Sequence, residues 1–215
     1  MDIRWDWIER HRGEIESATL AHLQLTAISL AIAIAVALPL AVAVRRRRVA
    51  TNAVLSVAGL LYTIPSIALF GILVPLIGLG TWPVIIGLVV YAQLTLVRNT
   101  LVGLAAAPAP VRQAAEGMGL TPRQVLLRIE LPLAIPAIVA GIRITTVTAV
   151  GIATVGGLVG GGGLGQIIVD GVRRDFPTLI AVGAVCTTAL AVALDLGLVL
   201  AERLTQPWLR AGRAT

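Results

Sequence analysis

Lysine is absent from this chain, and charge of either sign is scarce. All 17 basic residues are arginine, and charged residues make up only 13% of the 215, roughly half the ~25% of an average soluble domain. Hydrophobic residues supply 57% and the mean hydropathy is +0.93. One soluble core cannot hide that much apolar surface, so lipid is the solvent for most of the chain. The single cysteine, Cys186, lies in an apolar run. That excludes a disulfide framework and reads as a small buried hydrophobe. The two histidines, His11 and His22, have no metal-type spacing and no Ser or Cys set with them, so neither a metal site nor an embedded enzyme is expected. No G-x-x-x-x-G-K-[ST] phosphate loop occurs. The first 22 residues lack a short apolar core behind a basic start, so no cleavable leader is expected.

The formal charge of +6 raises nucleic acid as a partner. The arginines flank apolar runs instead of forming one stripe, however, so membrane topology explains them and no nucleic-acid partner is expected. About 20 apolar residues cross a bilayer as a helix. Five segments qualify: 20–44, 53–77, 82–104, 133–157 and 177–201. Their apolar runs are continuous rather than alternating, which favours helices over barrel strands. The domain expected is thus 20–202, with a surface tail at 1–19 and a second tail at 203–215. With the amino terminus outside, the inner connections carry eleven Arg and the outer ones five. That places the carboxyl terminus and the 98–132 connection in the cytoplasm. Arg45–Arg48 read as a cytoplasmic lipid anchor, worth about 1 kcal/mol per Arg near anionic lipid. Trp5, Trp7 and Ile8 suit the outer membrane surface, as a short helix, an extended stretch or a docking arm for an outside partner.

The most polar internal stretch is RQAAEGMGLTPRQVLLRIELP, residues 112–132. Pro110 suits the first turn of a helix over 111–117, and Gly117 and Gly119 are natural stops. Thr121-Pro122-Arg123-Gln124 then puts Thr at N-cap, Pro at N1 and Gln at N3, a capping box opening a second helix. That helix ends near Leu131-Pro132, where the chain turns into the fourth span. By its residues alone the segment is either an amphipathic loop helix at the lipid interface or a rigid docking element.

Its spacing resembles the EAA signature of binding-protein-dependent ABC importer permeases: Glu-Ala-Ala, three residues, Gly, nine residues, Ile, one residue, Leu-Pro. Gln113, Ala114, Ala115, Gly119, Ile129, Leu131 and Pro132 stand at the matching positions. Gln113 replaces the leading Glu, and Glu116 lies one turn later. HLQLTAISL (22–30), GLLYTIPSIALFGILVP (59–75), VRNTLVGL (97–104) and GGLGQIIVDG (162–171) look like the osmoprotectant branch, which imports glycine betaine, carnitine, choline or proline betaine.

The resemblance implies an all-α membrane protein, a bundle of about five spans of the type I ABC importer (MetI-like) kind, in a prokaryotic inner or plasma membrane. It implies a cytoplasmic coupling helix within 108–132 that docks on a separate ATPase. It also implies two ATPase copies, a second identical or homologous permease, and an extracytoplasmic solute-binding protein. ATP and Mg would be bound by the ATPase, leaving this chain without a cofactor. The alternatives are a permease for another small, amino acid-like solute, or a secondary carrier. No repeat and no obvious carboxylate relay support the carrier.

Several residues inside the spans stand out. Arg143 and Asp195 are the best-placed intramembrane charges, and such charges tend to pair. They lie about 15 Å and 10 Å from the cytoplasmic ends of their helices at 1.5 Å per residue, so either a structural bridge or a path role is open. Pro39 and Pro65 each remove a helix hydrogen bond. Tyr62, Thr63, Pro65 and Ser66, where hydroxyls and a proline coincide, and Gln93 and Asn99, beside Arg98, are candidates for the translocation path. Only eight aromatics are present, so no cage for a quaternary ammonium is expected in the membrane. The glycine cluster GGLVGGGGLG, 156–165, reads as a flexible turn at the outer mouth, either gate or bend.

Overall fold

The computed structural model describes residues 3–205. All regular structure among them is helical: α1 (Trp5–Arg10), α2 (Arg12–Val44), α3 (Arg48–Thr63), α4 (Ser66–Ile77), α5 (Thr81–Ala105), α6 (Ala109–Gly117), α7 (Pro122–Val125), a π-turn (Leu126–Glu130), α8 (Leu131–Val155), a 3-10 turn (Gly156–Val159), α9 (Gly163–Arg173) and α10 (Pro177–Thr205). Residues 206–215 of the expected cytoplasmic tail, with Trp208, Arg210 and Arg213, lie outside the described residues. Within them, four stretches are long and apolar enough to cross a membrane, and the broken pair α3 and α4 makes a fifth.

Three expectations change. The second span is not one rod. α3 ends at Thr63, Ile64 and Pro65 are extended (ψ 126° and 136°), and α4 starts afresh at Ser66. Proline removes an N–H and pushes the residue before it out of the α region, and the Tyr91 hydroxyl donates to the Ile64 carbonyl at 2.6 Å. Pro39, by contrast, sits inside an uninterrupted α2. The fourth span does not begin with a turn at Leu131-Pro132: helical backbone runs from Pro122 to Val159 without a break. The π-turn at 126–130 precedes Pro132, and such local widening re-satisfies backbone groups that proline leaves unpaired.

The third change is at the amino tail. α2 begins at Arg12, eight residues before the expected span, and within the tail Trp5–Arg10 form the short helix α1, held by its own contacts. Trp7 stacks on His11 with centroids 4.2 Å apart and meets Phe176 edge-on at 5.9 Å. The Arg4 guanidinium lies 5.5 Å from the centre of the Phe176 ring, and the Arg4 N–H donates to Thr178 Oγ1 at 3.1 Å.

The residues group into two compact units, one of 1–30, 65–88 and 146–215, the other of 31–64 and 89–145. In the second unit Ala33, Ala37 and Ala41 repeat every four residues on α2. They are fully buried with Ala92, Leu96 and Val97 of α5. Small residues let helices approach closely where lipid supplies no hydrophobic drive between them. Gly103 follows the same rule, since a Cβ there would meet the Ala134 carbonyl at 2.8 Å.

The first unit is built around Leu164 and Ile167 of α9 and Leu179 of α10, with Trp7, Phe176 and Cys186 against them. The glycine cluster makes a turn here: Gly160, Gly162 and Gly163 take positive φ (78°, 74° and 65°) between the 3-10 turn and the body of α9, and Gly156, Gly157, Gly163 and Gly165 are buried. A Cβ on Gly157 would collide with the Gly165 backbone, and one on Gly165 with the Thr154 carbonyl. At these two positions glycine permits backbone-on-backbone packing.

Gly165→Ala is therefore expected to destabilise the protein by about 1–3 kcal/mol, the usual cost of overpacking. Gly59→Ala, with open space around it, is expected to be neutral. Unfolding of the two variants and wild type side by side in mixed micelles checks this.

Candidate functional site

The 112–132 segment is a rigid helix–turn–helix within the second unit. α6 opens with Pro108 as N-cap and Pro110 in its first turn. It closes through a Schellman motif: the Gly119 N–H donates to the Glu116 carbonyl at 2.9 Å and the Leu120 N–H to the Ala115 carbonyl at 3.1 Å. The motif demands a left-handed residue after the cap, and Gly119 supplies it with φ +81°. Two residues later the capping box is formed as its spacing predicts. The Thr121 N–H donates to Gln124 Oε1 at 2.8 Å, and the Gln124 N–H donates to Thr121 Oγ1 at 3.3 Å.

Ala115 and Val125 are buried and anchor the two helices, whereas Gln113, Ala114, Glu116, Gly117, Gly119 and Pro132 are exposed, and Ile129 and Leu131 are half-buried. Met118, 74% exposed beside Val111 at 44%, adds an apolar knob to the polar face. Sequence reasoning passed over it, although a methionine between two glycines is the kind of flexible apolar residue that adaptable surfaces use.

The segment's base holds a feature no motif announced. Arg45 Nε donates to Glu130 Oε2 at 3.1 Å, and the two side chains are 16% and 6% exposed. Arg45 is thus not part of a lipid anchor; Arg46, Arg47 and Arg48 are the exposed members of that run. A polar cavity of about 290 Å³ lies beside the pair, lined by Arg45, Arg46, Arg112, Glu116 and Glu130 among others.

The path candidates do not form one cluster. Tyr62 meets Tyr91 edge-on with centroids 5.8 Å apart, at the break whose carbonyl Tyr91 binds. Tyr62 remains 42% exposed while Tyr91 is buried. The pair brings two aromatics together at the break. Thr63 bonds back to the Leu60 carbonyl. Pro65 and Ser66 belong to the first unit.

Gln93 Nε2 donates to the Val89 carbonyl at 3.0 Å and across to the Ala33 carbonyl of α2 at 3.4 Å, whereas Asn99 Nδ2 donates to the Thr95 carbonyl of its own helix at 2.9 Å. Gln93 Oε1 is buried without a partner. Arg143 and Asp195 are each half-buried and neither lacks an interaction; Arg143 lies in the second unit and Asp195 in the first. His22, read from its spacing as neither metal ligand nor catalytic, is fully buried, its Nε2 3.0 Å from the Val150 carbonyl. Among the described residues no group of three or more His, Cys, Asp or Glu is placed to hold a metal.

Residues 27–210 match the family described as the binding-protein-dependent transport system inner membrane component. The chain belongs to this family. It is 34% identical over 94% of its length to the choline transport system permease protein OpuBB of Bacillus subtilis, covering 93% of that protein. It is 36% identical, with the same coverage, to the glycine betaine/carnitine/choline permease protein OpuCB of that organism. The osmoprotectant import permease protein OsmW of Salmonella typhimurium is 37% identical over 85% of this chain and 87% of its own.

Among solved structures, an inward-facing MetNI methionine ABC transporter superposes with a TM-score of 0.70 at 26% identity, covering 86% of this chain and 95% of that one. An amino acid ABC transporter superposes with a TM-score of 0.76 over 94% and 99% at 16% identity, a likeness of fold. The chain is therefore a multi-pass inner-membrane permease of an ABC importer, a transport subunit rather than an enzyme. Such a permease works with an ATPase and a solute-binding protein.

The capping box predicts a local effect. Thr121→Ala removes one side of it and is expected to cost about 0.5–2 kcal/mol. Faster amide exchange at Arg123, Gln124 and Val125, with α10 unchanged, is the readout.

Proposed function

We propose that this permease carries a small quaternary ammonium osmoprotectant, such as glycine betaine, carnitine, choline or proline betaine, and that the 112–132 segment is its socket on the ATPase. The reading rests on the 34–37% identity to permeases named for choline, carnitine and osmoprotectant transport. The methionine importer, at 26%, stands further off, which places an amino acid-like solute second. Two permeases, identical or homologous, enclose the path, with two ATPases beneath and the binding protein outside. The amino terminus is outside and the carboxyl terminus in the cytoplasm, as the arginine distribution favours; residues 1–19 and 203–215 are the tails of a domain over 20–202.

The socket reading is supported by the shape of the segment. α6 turns Gln113, Ala114, Glu116 and Met118 to solvent on a scaffold locked by the Schellman motif and the capping box. ATP and Mg reside on the partner; closure of the ATPase pair displaces α6, and the path opens outward to take the solute. Tyr62, Thr63, Pro65, Ser66, Gln93 and Asn99 border that path. The exposed Tyr62 ring at the α3–α4 break offers the face a quaternary ammonium prefers, beside the carbonyl end of α3, whose dipole favours positive charge. High-affinity selection belongs to the binding protein.

The deciding experiment compares wild type with Ala114→Trp. Ala114 is exposed, so the bulk blocks docking without entering the fold. Wild type is expected to co-purify with an ATPase and support ATP-dependent uptake of labelled glycine betaine or choline, and the variant to lose both. Absence of an ATPase from the wild-type preparation would sink the socket reading; ATP-dependent uptake of methionine-like solutes instead would sink the substrate.

Arg143 and Asp195 are proposed as an ion pair on the chemistry of intramembrane charges. Arg143→Gln or Asp195→Asn alone is expected to abolish uptake, and the double variant to restore it; a double variant as inactive as the singles would exclude the pair.

A further inference from the structure

Arg45 lies outside the 112–132 segment and Glu130 is none of its signature positions, yet the two join the segment to α2. Arg45 follows the last residue of α2. Its N–H donates to the Ala41 carbonyl at 3.0 Å and its Nη1 to the Val42 carbonyl at 2.6 Å. The guanidinium thus covers the negative end of the α2 dipole. Its other edge donates through Nε to Glu130 at 3.1 Å, with both side chains largely buried.

Glu130 closes the π-turn Leu126–Glu130. A π-turn carries one residue more than an α-turn, and each residue advances a helix by about 100°. The insertion therefore decides which face of the helix presents position 130, and here it presents the carboxylate to Arg45. Such insertions concentrate at functional sites. Around the pair, Leu101, Leu104, Arg112 and Glu116 border the polar cavity of about 290 Å³. Where side chains leave a gap, packing cannot transmit a push, and a charge-assisted hydrogen bond can. Separating the partners would leave each charge stranded in a buried setting, so the pair stays closed when its surroundings move.

We propose that Arg45–Glu130 is a strut through which displacement of the 109–130 segment reaches α2, both side chains acting as positioning residues for coupling. The inference rests on reading 112–132 as the ATPase socket. It is tested on the complete importer, permease with its ATPase and solute-binding protein, reconstituted in liposomes.

For Glu130→Gln, uptake per assembled complex is expected to fall about tenfold or more while ATP hydrolysis stays within about twofold, the size of a lost coupling free energy. In a Cys186→Ala background, Arg45→Cys with Glu130→Cys is expected to be uncoupled with free thiols and to regain uptake when a short bifunctional thiol reagent joins the two positions. Should Glu130→Gln fail to assemble, the cysteine pair decides. Unchanged uptake per complex in Glu130→Gln overturns the strut. So does a fall of uptake and hydrolysis together in proportion to complex assembled, or a joined cysteine pair that remains uncoupled. Failure of the unsubstituted permease to bring down an ATPase would instead remove the socket reading itself.

Discussion

Inside a bilayer no water is present to satisfy a backbone N–H or C=O, and each unmet group costs several kcal/mol. This constraint shapes every long element of the permease. Uninterrupted runs of Ala, Leu, Val and Ile become helices because a helix satisfies its backbone within one segment. The departures from regular helix all come with their own solution. The Ile64 carbonyl takes the Tyr91 hydroxyl, the π-turn absorbs the defect ahead of Pro132, and the Gly160 and Gly161 N–H groups bond back into the 3-10 turn, to the carbonyls of Gly157 and Gly156.

The same economy explains why small residues dominate the contacts. In lipid, two helices gain little by hiding apolar side chains from one another, so close approach and dispersion must hold them. The Ala33–Ala37–Ala41 stripe, and the glycines at 103, 157 and 165, let backbones meet at distances a side chain would forbid. A cluster rich in glycine is then a mark of tight packing as readily as of freedom, and only the neighbours distinguish the two.

Polar residues follow a complementary rule. At the α6–α7 connection the chain keeps an exposed polar face on α6 and closes both ends of its turn with local bonds. At the base of that element it buries one ion pair. The guanidinium is met there by the Glu130 carboxylate and by the Val42 carbonyl of α2. The 112–132 element is braced by local bonds, its surface is open, and a deep polar contact joins its base to α2.

Much of this was legible in the residues. Continuous apolar runs dictate helical spans because lipid admits little else, and the limits of α5 and α10 agree with those runs to within a few residues. The Thr121–Gln124 box was readable because capping is a contact between residues three apart. The 113–132 spacing was readable because it is a fixed pattern of residue types, and it led to the family. Tertiary structure alone decided the rest. Ile64-Pro65 breaks a span where Pro39 does not, because Tyr91, 27 residues on, receives the freed carbonyl. Gly157 and Gly165 meet backbone to backbone because α9 folds back on the 3-10 turn. Arg45 belongs to Glu130, 85 residues away, and not to lipid, because a one-residue insertion turns the carboxylate toward it. Local chemistry is written in neighbouring residues, whereas the partner of a lone carbonyl, glycine or charge is set by which distant segment the fold brings beside it.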